Sequence, residues 1–547
     1  MFAVTLVISA SCGRAGSSTA SGTASSTGTP QVSTSVTPQS HTNVLTYHND
    51  ISRTGQNITE TTLTPANVNA SSFGKLFSLS VDGKVDAQPL YVSQLDMPGQ
   101  GVRSVAYAAT EHDSVYAFDA GTGALFWRTT VLRAGESPSD DRGCGQAVPE
   151  IGITATPVID VNAGPHGTIY LLAMSRDTAG GYHHRLHALD LTTGQEEFGG
   201  PVEIAASVPG SGDNSSNGQV VFDAKQYKTR PGLLLLNGVV YTGWGSHCDI
   251  GPYTGWLLAY DQLTLQPAGA FNFAPNGSGA ALWNSGGGLA ADAATGRVFV
   301  SVSNGTFDTA LDGRGFPSRG DFGNAFVKLN LLNGRFVPED YWTMSDTVAQ
   351  SARDQDLGSG GVLLLPDVTN ASGQVVPLGT GAGKDGKLYV FHRGDMGKFN
   401  AQGNGALYQE LPGALGGPVF ASPAWFNGTV YYGAAGDRIR ALRVNAALVQ
   451  SQPASVTGNV FGYPGVAPAI SANGSAGGIL WAIENSSRAV LHAYDAMNLA
   501  SELYNSSQAA GGRDDFGVGN KYVTPTIADG RVIVGGAGSV TVFGVMR

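Results

Sequence analysis

One hydrophobic pattern recurs along the body of the chain. An apolar strand, a Gly-bearing turn and a second apolar strand are followed by a polar loop. A third strand then closes on a small residue, an apolar residue and often Asp. The third-strand endings make the repeat visible: Tyr116-Ala117-Phe118-Asp119, His187-Ala188-Leu189-Asp190, Leu258-Ala259-Tyr260-Asp261 and His492-Ala493-Tyr494-Asp495. Weaker copies end at Asn330, His392, Arg443 and Phe543. Asp bonds its own backbone and Gly supplies positive φ, so the Thr122-Gly123 and Thr193-Gly194 continuations predict reverse turns. First strands open on Gln88-Pro89, Thr156-Pro157, Ser422-Pro423, Ala467-Pro468 and Thr524-Pro525. Pro fits there because the first strand residue needs no ladder N–H. Asn237-Gly238, Asn427-Gly428 and Asp529-Gly530 are hairpin signals between first and second strands.

Repeats of about 40 to 70 residues, each a short antiparallel sheet, predict a β-propeller. The fold expected is all-β, an eight-bladed propeller of four-stranded antiparallel blades. The last unit shows only three strands, and Lys75–Val81 is the strand expected to complete it. Pairing there would close the ring and protect both sheet edges. Seven blades, with one repeat misjudged, is the competing count.

Composition agrees with this and narrows the partners. The 547 residues include Gly 77 and only 13% charged side chains, against 42% hydrophobic ones. Long exposed helices and coiled coils need far more charge, and a chain this apolar is not disordered over most of its length. The formal charge is −11 and no run of Lys or Arg occurs, which excludes the basic footprint of a nucleic-acid binder.

The N-terminus reads differently. Residues 1–12 are an apolar run ending in Ser9-Ala10-Ser11-Cys12, like a lipoprotein signal, although a basic n-region is missing and Ser9 replaces the usual Leu; an ordinary export signal is the alternative. Residues 13–42 are almost entirely Ser, Thr, Gly, Ala and Pro, the composition of a flexible tether. The propeller domain is then 43–547. These features predict a periplasmic, outer-membrane-anchored or extracellular protein, touching membrane only through a lipid anchor. In an exported chain, Cys144 and Cys248 are expected to form a disulfide, with two buried free thiols as the alternative.

The scarce charge is unevenly placed. Second-to-third-strand loops hold Glu111-His112-Asp113, His247 with Asp249, Asn304, Lys384-Asp385 and Glu484. Blade crossovers hold Glu150, Arg353-Asp354-Gln355-Asp356 and Arg513-Asp514-Asp515. In a propeller these segments share one face, so a binding mouth is expected there. Turn-capping and ion pairing are the bland roles for the same residues.

The repeat, and in particular Val105–Trp127, resembles the pyrroloquinoline quinone (PQQ) propellers and among them the quinoprotein alcohol dehydrogenases. Leu45-Thr46-Tyr47, Leu63-Thr64-Pro65 and Leu76-Phe77 look like their N-terminal lead-in. The resemblance implies a quinone held beside Ca²⁺ or a lanthanide. Asn304 in Val302-Ser303-Asn304-Gly305 matches the metal-ligand Asn. Asp356 matches the catalytic base and a metal neighbour, with Asp354 a second carboxylate beside it. Lys384 matches the basic contact to the quinone oxygens. Asp249, or less well His247, stands where the family has a ligand Glu. The family's vicinal Cys pair is absent. Its stacking Trp would fall near Gly286, whereas Trp283 stands three residues earlier. The resemblance implies an oxidoreductase for an alcohol or sugar hydroxyl, a monomer, passing electrons to a separate acceptor. The competing reading is a non-catalytic propeller that binds carbohydrate, peptide or an envelope protein.

Overall fold

The computed structural model describes residues 41–145 and 148–546. The signal-like segment with Cys12 and nearly all of the tether lie outside the described residues. Within the unit Ser40–Arg547 the regular secondary structure is almost entirely β-strand, with one short α-helix, Thr347–Ala352, among the described residues. No described helix is long and apolar enough to cross a membrane.

Among the described residues the strands form eight sheets of four or five strands, antiparallel except where Gln56–Asn57 joins Ala469–Asn473 in parallel, beside one three-stranded and one two-stranded sheet. The first sheet runs Leu90–Met97, Gly101–Ala109, Ser114–Asp119 and Leu125–Thr130 in spatial order. The same up-and-down order recurs in the others. The sequence signals map directly onto it. Asp119 Oδ1 accepts the N–H groups of Gly121 and Thr122, both at 2.9 Å, and Asp190 Oδ1 accepts those of Thr192 and Thr193 at 2.8 Å. Asn237 and Gly238 both have positive φ (51° and 78°), as do Asp529 and Gly530 (46° and 76°), the geometry that a two-residue hairpin requires. Pro89, Pro157, Pro423, Pro468 and Pro525 each stand one residue before a strand, where a missing N–H costs no ladder bond.

The final sheet takes its fourth strand from the start of the chain. Phe73–Lys84 pairs antiparallel with Ala537–Val545, including Phe73 with Val545 and Leu79 with Val540. The strand expected over Lys75–Val81 is therefore present and longer at both ends.

Cores lie between sheets rather than within one. Val105 and Tyr107 of the first sheet pack with Ile169 and Leu171 of the second, and Trp127 joins them. Corresponding clusters join each later sheet to its successor, and Tyr91 and Phe118 of the first sheet pack with Ile533 and Val542 of the last.

The entry segment 44–57 meets the first strand of seven of these eight sheets and, in the remaining one, the residue just before Leu234–Leu236. Val44 exchanges backbone bonds with Tyr91, and the carbonyls of Leu45, Ile51, Ser52, Thr54 and Gly55 accept from Ile159, Ala291, Leu364, Trp425 and Ile470, all between 2.7 and 3.0 Å. Arg53 Nη2 donates to Leu233 O at 3.1 Å and Asn57 Nδ2 to Ile527 O at 3.0 Å. Gly55 has φ +65°, and a Cβ there would stand 2.9 Å from His48 Nδ1, so the tight pass of the segment needs glycine at that point.

Candidate functional site

The residues that lead into successive first strands converge a few positions before the entry segment meets those strands. Arg230, Trp283 with Ser285, Asp354 with Asp356 and Ser359, Phe420, Tyr463 and Tyr522 line one cavity of about 300 Å³. Two loop residues, Asp249 and Lys384, complete it. Five residues singled out from sequence are thus brought together: Asp249, Trp283, Asp354, Asp356 and Lys384.

One wall is ionic. Lys384 Nζ lies 2.6 Å from Asp356 Oδ2 and 2.8 Å from Asp354 Oδ1. Asn304 donates its backbone N–H to Asp356 Oδ1 at 2.7 Å and its side-chain amide to Asp354 Oδ1 at 2.9 Å. Asp356 is 5% exposed, and burial pushes its carboxyl above the ordinary value, while Lys384 and the Asn304 N–H pull it back. The same contacts raise Lys384. A buried carboxylate whose affinity for a proton is held up by desolvation and trimmed by one cation is the environment of a general base. Asp249 accepts from Ser246 Oγ at 3.1 Å and from the Tyr253 hydroxyl. It follows Cys248, and both residues have positive φ (56° and 54°).

The other wall is aromatic and cationic. The Arg230 guanidinium lies 5.3 Å from the Trp283 ring and 5.1 Å from the Tyr522 ring. The hydroxyls of Tyr463 and Tyr522 are 2.9 Å apart, and Phe420 meets Tyr463 edge-on. Trp283 caps the 3-10 turn Asn284–Gly286. It reaches the cavity although it precedes Gly286, the position aligned with a stacking Trp, and that glycine lies against Tyr522. Arg230, Phe420, Tyr463 and Tyr522 were not singled out from sequence. A signal was available for two of them: Phe420 and Tyr522 each stand three residues ahead of the Pro that opens a first strand.

Asn304 and Asp249 also line a second, open groove of about 580 Å³ beside the cavity. The disulfide Cys144–Cys248, with Cα atoms 5.8 Å apart, ties the first crossover to the loop that carries Asp249.

The remaining mouth candidates stand elsewhere. His112 Nδ1 and Glu150 Oε1 form a pair at 2.9 Å. Asp113 is fully buried, and neither of its oxygens has a partner. Burial and the nearby Glu111, Glu150 and Glu136 push its carboxyl well up. His247 is buried, and burial and Lys228 hold it down to about 4. Glu484 meets His492 at 3.2 Å. Arg513 bonds Asp514 at 2.7 Å and the carbonyls of Ala70 and Phe73 at 3.2 Å, locking the strand that completes the last sheet. None of these six lines the two cavities. Among the described residues no group of three His, Cys, Asp or Glu side chains is gathered for a metal ion.

Residues 83–398 match the family described as glucose/ethanol/alcohol dehydrogenase, β-propeller domain, of the PQQ type. Among curated proteins no relative matches the sequence. Among solved structures, the quinohemoprotein alcohol dehydrogenase ADHIIG of Pseudomonas putida HK5 is similar with a TM-score of 0.61 at 17% identity, covering 92% of this chain and 80% of that one. The quinohemoprotein alcohol dehydrogenase of Comamonas testosteroni gives 0.57 at 16% identity over the same shares of the two chains. A europium-containing methanol dehydrogenase gives 0.56 at 14% identity, covering 92% of this chain and 98% of that one. At these identities the likeness is one of fold.

Proposed function

The chain belongs to the PQQ-type β-propeller family of glucose, ethanol and alcohol dehydrogenases, and we propose that it is itself a quinoprotein oxidoreductase acting on an alcohol or sugar hydroxyl. The single observation that carries this reading is Asp356, buried in a ligand-sized cavity between Lys384 and the Asn304 N–H. We also infer an eight-bladed ring completed by Phe73–Lys84, supported by the inter-sheet cores that run from each sheet to the next and from the last to the first.

The residues fit the quinone. A flat, polyanionic ring needs aromatic surface and cations, and the cavity offers Trp283, Tyr522, Arg230 and Lys384. Arg230 lies over one face of both Trp283 and Tyr522, so a quinone would share those rings with the guanidinium, with Phe420 and Tyr463 the remaining aromatics of the lining. Lys228, two residues before Arg230, is buried with no hydrogen-bond partner for its ammonium group; burial and Arg230 hold its pKa down, and an anionic ligand beside Arg230 would offset the second of these. The oxygen donors of Asp249, Asn304 and Asp356 suit Ca²⁺ or a lanthanide, with Lys384 competing for Asp356. When bound, the metal–quinone pair supplies the two-electron oxidant. The chain's own part is narrower. Asp356 takes the substrate hydroxyl proton at Oδ1 or Oδ2, Lys384 keeps that carboxylate charged between turnovers, and Asn304 fixes its orientation. Electrons then leave to a separate acceptor. The protein acts as an exported monomer, in keeping with the tether and the disulfide.

The test is to load the purified protein with PQQ and Ca²⁺ or a lanthanide, then follow the quinone spectrum and dye reduction with alcohols and sugars. Saturable quinone binding and Asp356-dependent dye reduction are expected. No binding at micromolar quinone would overturn the proposal in favour of a non-catalytic binding propeller.

A further inference from the structure

We infer that the open groove beside the cavity is a saccharide subsite, so that the substrate is a neutral oligosaccharide with its reacting end at Asp356. This rests on the dehydrogenase reading for what happens at Asp356, and on the groove alone for binding. The groove has about 580 Å³, against about 300 Å³ for the cavity. The two share Asp249, and Asn304 in the groove wall bonds both Asp354 and Asp356 in the cavity. The groove therefore adjoins the cavity that holds the base. A simple alcohol would use none of this space.

The lining sets the chemistry of the ligand. Asp213 and Asp249 supply carboxylates, Asn304 an amide, and Ser278, Thr306 and Ser351 hydroxyls, while no Lys or Arg lines the groove. Two carboxylates with no cation reject an anionic chain by repulsion and by unpaired burial of its charge. They suit a ligand that is rich in hydroxyl donors. Asp213 accepts one protein hydrogen bond, from the Tyr253 N–H at 3.3 Å, and keeps acceptor capacity for such donors. Apolar and polar surface share the lining about equally, the apolar part including Val348 and Ala352 on the short helix, with Tyr253 and Phe307 largely buried behind. That mixture matches the alternating hydroxyl and C–H faces of a sugar chain better than the apolar anchors of a peptide. The groove is open to solvent, so the chain can be longer than the space that holds it.

The experiment is calorimetric titration of the quinone-free protein with glucose, maltohexaose, cellohexaose and polygalacturonate. At least one neutral hexamer is expected to bind about tenfold or more tighter than glucose, with polygalacturonate not binding. Asp213→Ala is expected to bring hexamer affinity down to the glucose level. Val348→Trp, an exposed position that fills the groove, gives the same result if the first variant unfolds; thermal melting reports the fold of both. Equal affinity for glucose and both hexamers overturns the assignment, as does hexamer binding unchanged in both variants or matched by polygalacturonate. Hexamer binding with no quinone uptake would overturn the dehydrogenase reading and leave the groove assignment standing.

Discussion

The two places where the eight sheets meet are built in opposite ways. At the entry segment, contact is made through backbone: the carbonyls of Leu45, Ile51, Ser52, Thr54 and Gly55 each accept from a different first strand. The cation there, Arg53, is fully buried and donates to Leu289 O at 2.7 Å, Tyr47 O and Thr46 Oγ1 at 2.8 Å, and Leu233 O at 3.1 Å. At the mouth, contact is made through side chains that lean on each other: Lys384 on two carboxylates, Arg230 between two rings. Backbone bonds fix geometry whatever the side chains are. Side-chain networks can change chemistry without changing the fold. The molecule is thus held together at one level of its first strands and differentiated a few residues earlier along the same strands. The mouth itself is uneven, since Asp356 has a cation and an N–H, whereas the equally buried Asp113 has neither.

Substitutions at the two levels should separate cleanly. Asp356→Asn removes the proposed base and is expected to lower kcat with bound quinone by about 10²–10⁴ while leaving the melting temperature nearly unchanged; a matching loss of stability would mean that Asp356 is structural. Arg53→Ala should do the reverse. Several hydrogen bonds to a charged donor are lost and their carbonyls stay buried, so a loss on the order of 3–5 kcal/mol is expected in denaturant unfolding. Survival of Arg53→Ala at wild-type stability would break the comparison.

The disulfide tests how local the mouth is. Paired Cys144→Ser and Cys248→Ser substitution is expected to cost about 2–5 kcal/mol. Hydrogen exchange should quicken in the crossover around Cys144 and the loop bearing Asp249, and remain slow in the entry segment. Uniform acceleration would show that the two levels unfold as one.

The smallest effect is one of pH. Burial raises the Asp356 carboxyl, so the acid limb of kcat/KM is expected above the ordinary carboxylate range. Lys384 lowers it, so Lys384→Met should move that limb to higher pH. For stability, a carboxyl raised in the folded state contributes most below its unfolded value, and the contribution is lost as pH rises through the folded value. Asp113 is raised further, by burial and three neighbouring acids. Asp113→Asn should therefore flatten the fall in melting temperature above about pH 4, the unfolded Asp value, without altering turnover.

Much of this architecture was legible in the residues. The Asp-then-Gly endings and the Asn-Gly hairpins encode turns by local chemistry alone, and each formed where the repeat put it. The strand that completes the last sheet could be named because an unpaired edge has to be covered by something. Asn304, Asp354, Asp356 and Lys384 could be named because they sit in loops whose place in the repeat was known. Arg230 and Tyr463 were missed because they lie in irregular lead-ins, where no periodicity marks which way a side chain turns. The role of Leu45–Asn57 as a hub was also hidden, since most of its bonds to the sheets are made by backbone and leave no trace in residue type.

The low charge and the many glycines thus determined, by themselves, a turn-rich chain of short sheets with a polar minority in a few loops. Which of those polar groups meet was decided by the tertiary structure alone. Sequence fixes each blade through contacts a few residues long, but the distance between Asp249, Asn304, Asp356 and Lys384 depends on how successive sheets pack, through cores that join residues far apart in the chain. The same packing gave Asp356 its cation and left Asp113 without one.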